Sequence, residues 1–136
     1  MGGFSTLALL LSLPACDDSI GPRLASVEGV WDYTATVSFN DRDCVVSGVV
    51  LSLLQEEGII SGTVQEGTVT CTPGSSEPTS FSEISSGTII GDFVSFNLGG
   101  DDFRHSGALS DSGVTGNVEV FLDDEAGEGS FEMHRR

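Results

Sequence analysis

The chain has 136 residues, 18 of them glycine, and a formal net charge of −16 from 21 acidic and five basic residues. Its cations are Arg23, Arg42, Arg104, Arg135 and Arg136, with no lysine, so it lacks the clustered positive charge that replaces phosphate counterions; nucleic-acid binding is excluded and direct adhesion of the folded domain to an anionic bilayer is disfavoured. The length suits one modest core in one domain, and frequent Gly, Ser and Thr without helical apolar spacing point to an all-β chain.

Residues 1–15 read as a leader. Gly2 to Leu13 are apolar or small, and Leu7-Ala8-Leu9-Leu10-Leu11 forms a greasy core that is too short to span a membrane as a helix and has the length of a signal-peptide h-region. Leu13-Pro14-Ala15-Cys16 follows directly and resembles the lipobox of bacterial lipoproteins. That resemblance implies cleavage before Cys16, a lipid on its thiol, and the lipid bilayer as a partner. It also implies an address in the bacterial cell envelope, facing the periplasm or the exterior. A secretory leader without lipid is the alternative. Residues 16–28 are then the lipidated Cys and a polar tether, broken at Gly21-Pro22, and residues 29–136 are a β-barrel domain.

The first strand spans 30–39. Trp31, Tyr33, Ala35, Val37 and Phe39 alternate with Asp32, Thr34, Thr36 and Ser38, so one face is apolar and the other polar. It carries the single Trp and the single Tyr of the chain. The next two strands, 44–54 and 59–70, turn at Glu57-Gly58, where glycine supplies a positive φ. This register sets Leu53 opposite Gly62, Leu51 opposite Val64 and Cys44 opposite Cys71. With Cys16 assigned to lipid, Cys44 and Cys71 are an even pair in an oxidising compartment and are expected to form a disulfide. A redox or metal site is the alternative, without a C-x-x-C spacing or a flanking His to support it.

Strands 81–90 and 93–98 turn at Gly91-Asp92, which places Ile89 opposite Val94 and Gly87 opposite Phe96. Strands 103–109 and 114–122 are expected to turn at Ser112-Gly113. That sets Leu109 against Gly116, Gly107 against Val118, His105 against Val120 and Phe103 against Leu122. A last strand, 129–135, puts Phe131 and Met133 on one face. The tight turns fall at one end and the longer connections (40–43, 71–80, 99–102 and 123–128) at the other. Eight antiparallel strands in this order can close into an up-and-down barrel without exposed edges.

Gly29-Val30-Trp31 resembles the G-x-W signature on the first strand of lipocalins and the wider calycin group. The resemblance implies a lipocalin-like barrel and an arginine from the end of the last strand packed over the tryptophan, a place that fits Arg135. Lipocalins carry a helix before the final strand; 123–128 is too short for one, so the expected barrel is helix-poor.

Candidate inner-face residues are Trp31, Tyr33, Val37, Phe39, Leu51, Leu53, Val94, Phe96, Phe103, His105, Val120 and Phe131. Of these, Trp31, Tyr33, Phe39, Phe96, Phe103 and His105 are the candidates for contacting a small apolar or amphipathic ligand. His105 either orients that ligand or sits near the rim, bonded to Asp101, Asp102 or water. Acidic residues gather in or beside the long connections: Asp41, Asp43, Glu77, Asp101, Asp102, Asp123, Asp124, Glu125 and Glu128. They form either a solvated rim or a Ca²⁺ site built from Asp101, Asp102, Asp123, Asp124 and Glu125, although no D-x-[DN]-x-[DN]-G loop is present. No residue set combines a nucleophile with a base, so no enzyme and no other cofactor is expected. The expected function is a membrane-anchored ligand-binding barrel; the alternative is a filled barrel acting as a structural or protein-interaction module.

Overall fold

The computed structural model describes residues 26–81 and 83–136; the leader, Cys16 and the tether up to residue 25 lie outside the described residues. The described chain is all β. It forms β1 (Gly29–Ser38), β2 (Asp43–Glu56), β3 (Ile59–Gln65), β4 (Thr68–Thr72), β5 (Ser76–Pro78), β6 (Ile84–Ile90), β7 (Phe93–Leu98), β8 (Phe103–Ser110), β9 (Gly113–Leu122) and β10 (Glu125–Arg135). Antiparallel pairing runs β1-β10-β9-β8-β7-β6-β3-β2 and closes back through β1–β2. The result is an eight-stranded up-and-down barrel of lipocalin-like design. β4 and β5 form an annex on the first half of β2.

β1 explains the closure. Its alternating pattern buries Trp31, Tyr33, Ala35 and Val37 while its even positions stay exposed. It pairs on one side with β2 and on the other with β10. The hairpin of β2 and β3 turns at Glu57-Gly58, both with positive φ (53° and 89°), as a two-residue primed turn requires. Leu51 faces Val64, Leu53 faces Gly62, and Cys44 faces Cys71 as expected, and the two cysteines are joined in a disulfide.

Four expectations are corrected. The strand expected over 59–70 is broken at Glu66-Gly67 into β3 and β4, although the register against β2 continues unchanged across the break. Gly87 does not stand alone opposite Phe96, because the β6–β7 register shifts between Ser85 and Thr88, where Ser86 takes φ +51°. The β8–β9 turn is centred on Asp111-Ser112 rather than Ser112-Gly113. Gly107 therefore faces Gly116, Leu109 faces Val114, His105 faces Val118 and Phe103 faces Val120. A slip of two keeps every side chain on its expected face. It is favoured because two apolar residues oppose each other at 109 and 114 and the Ser112 N–H donates to Ser110 Oγ at 3.3 Å. Finally, 123–128 is not a long connection. Leu122 pairs with Glu125 across a two-residue turn, and β10 begins at once. Its loop-like Ala-Gly-Glu-Gly composition suits its position: a Cβ at Gly127 would lie 2.7 Å from the Phe39 ring, so a larger residue there requires that ring to move.

Candidate functional site

The inward side chains fall into three levels along the barrel axis. At the tight-turn end, the segment before β1 folds across the opening. Val27 is fully buried, and its N–H donates to Gln55 Oε1 at 2.8 Å. Trp31 Nε1–H donates to the Val27 carbonyl at 2.8 Å. The Arg135 guanidinium lies 4.3 Å from the centre of the Trp31 ring, in the place that the lipocalin resemblance implies for it. It also donates to the carbonyls of Ser26 (3.0 Å) and Glu28. A cation over an indole and four hydrogen bonds to backbone groups thus stopper this end.

The middle level holds Tyr33, Phe96, His105 and Phe131, all nearly inaccessible to solvent. His105 Nδ1 is 3.2 Å from the Phe103 carbonyl, which can only accept, so that nitrogen carries the proton. Nε2 is then bare and accepts from the Tyr33 hydroxyl at 2.5 Å. The imidazole stacks on Phe96 (4.4 Å, 9° between planes) and meets the Phe131 ring edge to face (4.9 Å, 80°). Burial in this apolar cage lowers the His105 pKa to about 4, partly offset by the carbonyls of Phe103 and Phe96. Burial likewise pushes the Tyr33 phenol far above its ordinary range. The pair is neutral, and its two polar ends satisfy each other. His105 is therefore not near the rim or bonded to Asp101 or Asp102, as one reading of the sequence had it.

The third level is the far rim. Phe103 packs edge to face on Phe81 at 4.9 Å. Phe39 lies under the Arg42 guanidinium, 4.4 Å from ring centre. Arg42 also grips Glu125 through both nitrogens (2.5 and 3.1 Å) and reaches Asp41 at 2.9 Å, so the β1–β2 and β9–β10 turns are clamped together. The hydrogen bond from Arg42 holds the Glu125 carboxyl below the usual range.

The six candidate ligand-contacting residues thus do not form one site. Tyr33, Phe96 and His105 meet in the middle, Trp31 belongs to the stopper, and Phe39 and Phe103 belong to the rim. Comparison of the chain with protein-family models, curated proteins and solved structures finds no match. Of the candidate calcium ligands, Asp101 and Asp102 lie in the β7–β8 turn, Asp123 and Asp124 in the β9–β10 turn, and Glu125 opens β10. Asp101 accepts from the Asn97 amide at 3.2 Å and Glu125 is held by Arg42. Among the described residues, no group of three or more His, Cys, Asp or Glu is arranged to hold a metal ion.

Two clefts of about 640 and 650 Å³ open on the barrel wall, with Trp31 among the lining residues of the first and His105 and Val118 among those of the second. One borders the Asp111-Ser112 turn and Arg135; the other runs over outward residues such as Asn97, Arg104 and Asn117. Sequence reasoning missed Val27 and Phe81, whose burial depends on segments outside the main hairpins and carries no periodic signal. It also missed the Arg42–Glu125 clamp, because those residues are 83 positions apart.

Proposed function

We propose that this chain is a lipid-anchored protein of the bacterial envelope, held by a lipid on Cys16. Its barrel is a filled, non-catalytic module that works through its outer face and acidic rim. The anchor reading rests on the h-region and on Leu13-Pro14-Ala15-Cys16, and a disulfide between Cys44 and Cys71 suits an oxidising compartment. The observation that carries the module reading is the Tyr33–His105 pair. The polar groups at the barrel's centre face each other and are enclosed by aromatic rings, so the ring N–H of His105 and the hydroxyl proton of Tyr33 are both already donated within the protein rather than offered to a ligand. The rim, with Asp41, Asp101, Asp102, Asp123 and Asp124 exposed, suits a cationic partner surface.

Native mass spectrometry of the full protein, gently extracted from a bacterial envelope with and without added Ca²⁺, tests this. The expected result is a chain beginning at Cys16 with an acyl-bearing mass increment and no other adduct. An apolar molecule that co-purifies and leaves on denaturation would return the function to the lumen. A shift with Ca²⁺ alone would move it to a metal at the rim.

A further inference from the structure

Large apolar side chains are exposed mainly at one end of the barrel. Val30, Leu54, Ile59, Ile90 and Phe93 are between 41% and 76% exposed; the last four lie on strand ends beside the Glu57-Gly58 and Gly91-Asp92 turns, and Val30 lies at the start of β1 at the same end. The registers make them neighbours. Ile90 is directly opposite Phe93. Ile59 is opposite Thr88 and so diagonal to Ile90 on the same face. Leu54, opposite Ser61, is diagonal to Ile59, and Val30, opposite Ser52, is diagonal to Leu54. Alternation turns all five outward. They form a continuous apolar belt across β1, β2, β3, β6 and β7.

The chain enters the barrel at this same end. Ser26 is fixed beside Arg135 there, and only the ten residues 17–26 separate Cys16 from β1's approach. Ten residues reach at most about 35 Å. The acidic rim is at the opposite end.

We infer that the belt seats the tight-turn end of the barrel on the bilayer that holds the Cys16 lipid, an inference that rests on the anchor reading above. Belts of exposed Ile, Leu and Phe gain from sinking into the boundary between headgroups and acyl chains. Because a tether already holds the end close, the belt needs little affinity of its own. The net charge of −16 sets copies of the barrel against one another, which disfavours a second copy as the occupant. Glu56, Glu57 and Asp92 sit at the flanking turns, so the fitting surface is zwitterionic rather than anionic.

The test uses the mature lipidated protein in vesicles of phosphatidylcholine brominated on its acyl chains, which quench a nearby indole. Ile90→Trp introduces a probe in the belt and Asp124→Trp one at the far rim. Emission of the introduced indole at 90 is expected to fall by half or more relative to unbrominated vesicles, with no change at 124. Adding Leu54→Ser and Phe93→Ser to the Ile90→Trp protein is expected to reduce the quenching several-fold. Equal quenching at both positions, or none at 90, overturns the proposal. So does a concentration-dependent shielding of the probe in the soluble Cys16→Ser protein, which assigns the belt to a second copy. Shielding in native envelopes but not in protein-free vesicles assigns it to a protein partner and overturns it too. Intact mass reads the anchor separately. If Cys16 is a free thiol, the anchor reading fails, and the same protein coupled at Cys16 to a maleimide phospholipid still decides the seating.

Discussion

His105 must be neutral to occupy its place between Phe96 and Phe131, because an imidazolium there would lose its hydration and its bond from Tyr33. A pKa near 4 in the folded barrel against about 6.5 in the unfolded chain means that, between those values, the unfolded state binds a proton that the native state refuses. Stability therefore rises with pH through this window. The histidine's contribution falls by about 2 kcal/mol on going from pH 7.5 to pH 5, and the loss ends below the folded pKa. Since carboxylates titrate nearby, the comparison to make is urea unfolding of the wild type and His105→Phe at both pH values; the wild type should lose about 2 kcal/mol more than the variant. Tyr33 gives a second check, because it is the single tyrosine of the chain. Its phenol is pushed up by burial, so tyrosinate absorbance should stay absent through pH 11 and appear only with unfolding. A tyrosinate signal near pH 10 from a protein that remains folded would mean that the phenol is not enclosed.

Among the elements, β1 was the most legible, since a strict alternation of large apolar and small polar residues determines its faces without help from neighbours. β2 was not. Counting back from Leu53 and Leu51 by twos turns Val45 inward and Cys44 outward, yet Cys44 and Val46 are buried and Val45 is exposed. An extra residue resolves this: the β1–β2 register shifts between Tyr33 and Ala35, and Gly48 takes φ +76°. Inward positions change from even to odd numbers there, and the break at Glu66-Gly67 matches it on the neighbouring strand. A second such shift, at Ser86, changes the parity of β6. One glycine among 18 does not announce itself as a bulge, which is why the Glu57-Gly58 and Gly91-Asp92 turns could be read and these shifts could not. At Gly48 a Cβ meets nothing nearer than the Gly67 Cα at 3.7 Å, so the cost of replacement is in the backbone alone. Gly48→Val should lower the unfolding free energy by about 1–2 kcal/mol, and Gly48→Asn, which tolerates the left-handed region, by well under 1 kcal/mol. Equal losses for the two variants would point to a contact rather than to φ. The candidate site was half legible for a related reason. Strand faces told which side chains point inward, but not that His105 and Tyr33, 72 residues apart, would meet.

For the whole molecule, the disulfide fastens the annex of β4 and β5 to the barrel and closes a loop with a separation of 27 residues. The chain-entropy model gives about 3.5 kcal/mol for such a loop, so Cys44→Ala with Cys71→Ala should reduce the denaturant-unfolding free energy by roughly 3–4 kcal/mol. A loss below about 1 kcal/mol would mean that the β2–β4 ladder holds itself. The pairing of Trp31 with Arg135 has a mechanical side as well, since it sets the start of β1 beside the end of β10. Force applied between those two strand ends peels the β1–β10 ladder open one bond at a time. Force applied between the start of β1 and the far rim runs along the strands and loads the ladder bonds on both flanks of β1 together, in shear. Built this way, the barrel yields readily to a pull across its seam and resists a pull along its axis, the direction of load if, as proposed, Cys16 is held by lipid and a partner is held at the rim.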